Sequence, residues 1–234
     1  MREPTTVGAY WGARAEPVEH CAERFASCLE ELGTAHHLLS SWWRKGQSKN
    51  AASRHPVSAE RSVLRDLLLA GRNRGDFSGE VLEDLGYSAG LWNKQRVSVG
   101  LSIHCGSYNE RVGNALVLKL PVLDAESAVL YDPTVGRRIM HAVIESWSPE
   151  WATWITPSVR DAQDDRTKAP VVGWWTYLDG APSAPQTLPA GVRVERTKRG
   201  TLIMLADRAD AVSAGAAVKL RDEFREAGAF TRAS

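Results

Sequence analysis

Apolar residues recur along this chain at two periods, 3.6 and 2, and the points where one gives way to the other mark its elements. Thr5 to Gly12 alternates apolar and polar positions among aromatic and β-branched residues, which predicts a half-buried strand. Behind Pro17, set where an N1 proline would stand, Val18, Cys21, Ala22, Phe25, Cys28, Leu29 and Leu32 follow helical spacing, and Gly33 offers a left-handed stop. Leu38 to Arg44 is a short apolar piece that suits a strand and leads into a polar loop, Lys45 to Pro56. Ser58 is a candidate cap for a second helix carrying Val63, Leu64, Leu67 and Leu68, with Gly71 at its end.

From Glu80 to Pro121 the period becomes 2. Leu85, Tyr87, Ala89 and Leu91, then Val97, Val99, Leu101 and Ile103, then Leu116, Leu118 and Leu120 predict a three-strand meander. Asp132-Pro133 combines a capping carboxylate with an N1 proline and opens a helix through Val135, Ile139, Ala142 and Val143 to about Trp147. Strands follow at Trp151 to Thr156 and Val171 to Leu178, separated by a mixed-charge loop, Ser158 to Pro170. The second of them is apolar at nearly every position, so both of its faces should be covered. Val192 to Arg196 and Thr201 to Ala206 form a hairpin in which Gly200 is free to take positive φ, and a last helix runs from about Asp210 to Ala227. Strands in runs with interspersed helices predict an α+β fold, a mainly antiparallel sheet with about four helices packed on it. A single domain over 1–234 is expected, and if it divides into halves, 1–121 and 122–234, the seam lies near Pro121 to Asp132.

Composition narrows the function. Lys+Arg 29 against Asp+Glu 28 leaves a net charge of +1, which gives no bulk electrostatic reason to expect nucleic acid or a membrane surface as partner. The first residues lack the apolar run of a signal peptide, and no stretch approaches a membrane span, so the chain is expected in the cytoplasm with its 3 cysteines reduced. Cys105 is the best nucleophile candidate, but neighbours on a strand point to opposite faces, so His104 is badly placed to activate it. The histidines are scattered, and no metal or cofactor site is predicted. The glycines fall in no phosphate-cradle motif either. Two acidic groups, Asp161, Asp164 and Asp165, and Glu80, Glu83 and Asp84, read most simply as solvated segments. Trp42, Trp43, Arg44, Lys45, Lys49 and Arg54 interleave aromatics with cations, the composition of a single-strand nucleic-acid module, although the bulk charge argues against that reading.

Tryptophan is the unusual residue, 9 against Tyr 5 and Phe 4, with pairs at Trp42-Trp43 and Trp174-Trp175. Consecutive strand residues face opposite ways, so one member of each pair should enter the core and the other is available as an interface anchor.

The motifs themselves point further. Gly8 to Gly12 (GAYWG), Gly71 to Arg74 (GRNR), Leu85 to Asn93 (LGYSAGLWN), Cys105 to Asn114, Ser148 to Ala152 (SPEWA), Val172 to Leu178 (VGWWTYL), Leu188 to Glu195 and Gly200 to Leu205 occur in order across nearly the whole chain. Together they resemble the immunity protein 52 family of bacterial polymorphic toxin systems. The resemblance implies a cytoplasmic α+β protein without enzymatic activity that binds a toxin encoded beside it. It further implies that the toxin is a nuclease of restriction-endonuclease-like fold, delivered between cells by type VI or a similar secretion, whose active site is occluded or held inactive. It carries over no catalytic residues. A basic nuclease groove would match acidic contacts, so Asp161, Asp164 and Asp165 or Glu80, Glu83 and Asp84, with Trp42 and Trp43 as anchors, are the expected partner-binding residues. A Cys105-dependent hydrolase and a nucleic-acid module at Trp42 to Arg54 are the alternatives from other classes.

Overall fold

A computed structural model describes residues 3–45, 55–75, 78–164, 170–180, 189 and 191–230. Among them the strands are β1 (Thr5–Trp11), β2 (Trp42–Arg44), β3 (Pro56–Val57), β4 (Tyr87–Trp92), β5 (Gly100–Cys105), β6 (Asn114–Leu120), β7 (Trp151–Ile155), β8 (Trp175–Asp179), β9 (Arg193–Arg196) and β10 (Gly200–Met204). They form one sheet in the order β3-β2-β4-β5-β6-β1-β7-β8-β10-β9, with every neighbouring pair antiparallel. The first strand is therefore central, bonded to β6 on one side and β7 on the other, and the sheet is continuous across the Pro121 to Asp132 connection.

The helices among the described residues are α1 (Val18–Ala35), α2 (Arg61–Ala70), α3 (Pro133–Trp147), α4 (Pro157–Asp161) and α5 (Ala214–Glu226). The α+β class and the meander stand as expected. Strand register explains the core: Leu91, Leu101, Leu118, Val7, Trp154, Trp175 and Met204 face one another across seven strands, and all are buried. Phe25 and Leu29 of α1, Leu64 and Leu68 of α2, and Ile139, Met140 and Trp147 of α3 join this layer in one cluster. On the opposite face, a second cluster unites Ile155, Leu178 and Ile203 of the sheet with Val159 of α4 and Ala217, Leu220 and Phe224 of α5.

Several local expectations are corrected, each for a tertiary reason. Gly33 does not end α1, which continues to Ala35; a side chain at Gly33 would press on the Ser40 backbone at 3.3 Å, so the residue serves a close approach. Pro17 is the N-cap of α1 rather than N1. Leu38 to Arg44 splits into a 3-10 turn at His37–Leu39 and the short β2. Ser58 does not cap α2, which begins at Arg61 with Glu60 before it. The loop after β7 contains α4, capped by the Thr156 hydroxyl on the Val159 N–H at 3.3 Å. Gly200 is not at positive φ, since it already belongs to the β10 ladder, where a Cβ would strike the Leu178 carbonyl. The Asp132 cap is as expected, its carboxylate accepting from the Thr134 and Val135 N–H groups at 2.8 and 3.3 Å.

Candidate partner-binding surface

Period 2 places alternate residues of β4, β5, β6 and β1 on the face opposite α1–α3. In register these are Trp92, Gly100, Lys119 and Thr6, then Gly90, Ser102, Val117 and Gly8, then Ser88, His104, Ala115 and Tyr10. Every outward position of β4, β5 and β6 keeps some solvent exposure, whereas on the equivalent face of β7, β8 and β10 every position but the half-buried Trp151 is buried, with α4 and α5 packed on it. Among the described residues no helix covers the former half of the sheet on its second face, where the small Gly8, Ser88, Gly90, Gly100, Ser102 and Ala115 stand among larger side chains.

Tryptophan distribution follows this division. Trp11, Trp42, Trp147, Trp154, Trp174 and Trp175 are buried, while Trp43, Trp92 and Trp151 are half-buried. Trp43 and Trp92 are paired across β2 and β4 on the bare side, whereas Trp151 stands at its border, packed against the second cluster and stacked on Tyr10 with ring centroids 4.3 Å apart. Lys94 sits over the Trp43 ring at 5.4 Å. Beside Tyr10 and Trp151, a concavity of about 740 Å³ is walled by Glu110, Arg111 and Glu150.

At that same end two turns are locked together. The Asp84 carbonyl accepts from Tyr108 N–H, Asn109 N–H and the Ser107 hydroxyl, each at 3.1 Å. Asn114 spans the junction, accepting from Ser107 N–H at 2.8 Å and donating to the carbonyls of Gly12 and Ser107 at 2.7 and 3.0 Å. The clamp holds out Leu82, Tyr108 and Val112, among the few large apolar side chains that are exposed, with Tyr108 at 49%.

The predicted contact residues are thus sorted. Trp42 is 3% exposed and donates its indole N–H to the Leu39 carbonyl at 2.9 Å, so it serves the core and only Trp43 of the pair faces outward. Glu80 and Glu83 are exposed beside the Tyr108 turn, while Asp84 is half-buried and its carboxylate accepts from the Asn109 amide at 2.5 Å. Asp161 is exposed and paired with Arg160 at 2.8 Å; Asp164 is exposed nearby. Asp165, Lys49 and Arg54 lie outside the described residues. The two acidic groups sit at opposite ends of the strands: β1 meets Trp151 at Tyr10 and Ile155 at Thr6, and the Glu80 loop belongs to the Tyr10 end. Sequence reasoning does not single out Tyr10, Trp92, Tyr108 or Lys119, which the structure leaves accessible at this surface; the available signal is Trp92 in phase with the small Gly90 and Ser88.

Cys105 is buried and turned away from His104, which bonds the Ser88 hydroxyl on the other face at 2.9 Å. A hydrogen bond with the Cys21 thiol, together with burial, pushes the Cys105 thiol well above its ordinary value, and burial pushes Cys28 up to about 12. Such thiols are poor nucleophiles. Among the described residues no group of three His, Cys, Asp or Glu side chains is arranged to hold a metal ion, and no helix is long and apolar enough to cross a membrane.

Comparison with known families decides the class. The profile of the family described as immunity protein 52 matches residues 3–232. The chain belongs to the immunity protein 52 family. Membership implies a cognate toxin as the partner. Among solved structures, the Pseudomonas aeruginosa T6SS protein PA0821 is similar in fold, with a TM-score of 0.55, 15% identity, and coverage of 96% of this chain and 72% of that one. No curated protein matches.

Proposed function

We propose that this protein neutralises a nuclease toxin delivered between bacterial cells, and that it acts in the cytoplasm by covering the toxin's active site. The observation that carries the reading is the family match over residues 3–232. The similar Pseudomonas aeruginosa structure is that of a T6SS protein, which supports delivery by type VI secretion. A nuclease target is supported by charge and shape. Exposed Glu80 and Glu83 belong to the segment whose Asp84 carbonyl holds the turn of the exposed Tyr108, acidic residues close in the chain to an aromatic's anchor, which fits a basic, nucleic-acid-binding groove. Asp161 and Asp164 are a second pair of exposed carboxylates, without an exposed aromatic beside them among the described residues.

Co-expression with the polypeptide encoded beside it tests the reading. Growth rescue together with a complex that survives high salt is the expected result, and toxicity with neither rescue nor complex overturns it. The reversal E80K/E83K should slow association at low salt by about tenfold, and D161K/D164K by less. Equal, unchanged rates for both would remove the groove-binding account.

A further inference from the structure

We propose that the toxin docks across the bare sheet face and brings a carboxylate-bearing element of its own to the Lys45–Lys119 pair. The proposal rests on the immunity reading and adds the surface, the chemistry of the contact and the orientation of the partner. Lys45 follows β2 and lays its stem over β4 and β5. A side chain at Gly90 would meet its Cδ at 3.1 Å, and one at Gly100 would meet its Nζ at 3.3 Å. Its ammonium donates to the Ser102 hydroxyl at 3.1 Å. Lys119 stands opposite Gly100 in the β5–β6 register, so two cations from separate strands converge over the same glycine.

Nothing on the described protein neutralises them. Neither lysine has a carboxylate within ion-pair distance among the described residues. The chain supplies none locally either: residues 36–59, 85–109 and 111–123, which carry β2 to β6, contain no Asp or Glu. Burial, and then the charge of Lys119, hold the Lys45 ammonium below its ordinary pKa, the signature of like charges placed together on a partly desolvated surface. A partner's carboxylate would relieve that repulsion, and Trp43 and Trp92 beside the lysines supply the apolar rim that excludes water from such a contact.

The far end of the face carries two carboxylates, with Arg111 as the one cation among the residues that line the concavity there. Four residues along β6, roughly 13 Å from Lys119, Ala115 borders the concavity walled by Glu110 and Glu150. A nucleic-acid backbone, negative throughout, gains less at that end, where two carboxylates outnumber Arg111, than a protein that brings a basic patch there and an acidic one to the lysines.

The test uses the full chain, with affinity measured against a catalytically inactive form of the neighbouring toxin and growth rescue measured against the active one. The double reversal K45E/K119E should weaken binding by at least about tenfold and abolish rescue, with an unchanged melting temperature. K119E alone, on an exposed side chain, should give a smaller loss in the same direction. If both variants bind as the parent does, the docking surface is overturned and the immunity reading stands. If the parent neither binds nor rescues, the reading falls and the proposal with it. If K45E/K119E keeps the toxin but loses a low-salt shift that the parent gives with a single-stranded oligonucleotide, the face serves nucleic acid and the proposal is wrong.

Discussion

The β7–β8–β10 half of the sheet and the β4–β5–β6 half share one ladder and one helical layer, yet differ in what lies on the second face. In the first half Ile155, Leu178 and Ile203 are roofed by Val159, Leu220 and Phe224. In the second, Gly90, Ser102, His104 and Lys119 meet solvent. A three-layer region is committed to stability, because each face already has its partner. A two-layer region keeps one face for an encounter, and the small side chains there let another backbone approach closely.

Removing the roof is the strongest way to break this comparison. Phe224→Ala should cost about 3–5 kcal/mol and raise binding of a hydrophobic dye as α5 loosens, measured by denaturant unfolding. An unchanged midpoint would mean that α5 contributes little to the layer. Next comes the joint at the Tyr108 end. Asn114→Ala strands the Ser107 and Gly12 backbone groups that it now satisfies and should cost about 2–4 kcal/mol, with weakened toxin binding as the clamp opens. Trp92→Ala, on the bare face, should cost only about 1 kcal/mol of stability while reducing toxin affinity by more than that. A melting temperature that falls as far as for Phe224→Ala would show that the bare face is structural after all.

The smallest effect is in pH. Burial holds the His104 imidazole below its ordinary pKa. The unfolded chain therefore takes up this proton first as pH falls, and stability declines between the ordinary value and the depressed folded one, then levels off. His104→Gln should flatten that part of the stability–pH curve, and an unchanged curve would place the proton elsewhere.

Much of this division was legible in the sequence. The unbroken apolar run before Asp179 required cover on both faces, and Trp174 to Leu178 are indeed buried. The alternation in Leu85 to Leu120 required cover on one face only, and the meander has it on one. What periodicity does not encode is whether a polar face meets water or a partner, because Ser88, Ser102 and Val117 satisfy either. Lys45 fell in a stretch read as loop, and its convergence with Lys119 depends on a register between strands about 70 residues apart. Gly33 and Gly200 misled for the same reason: local chemistry offers a glycine a turn, and a neighbour arriving from elsewhere sets its use.

The central place of β1 carries a consequence for timing. Thr5–Trp11 is made before the other strands of the sheet but finds its partners only when Asn114–Leu120 and then Trp151–Ile155 have been made. At bacterial synthesis rates the nascent strand waits on the order of ten seconds with both edges unpaired, and the closing contacts are among the most distant in the chain. An antidote built this way is slow to become competent. Protection against a toxin that arrives suddenly has to come from molecules already folded and held in reserve, not from those whose synthesis its arrival provokes.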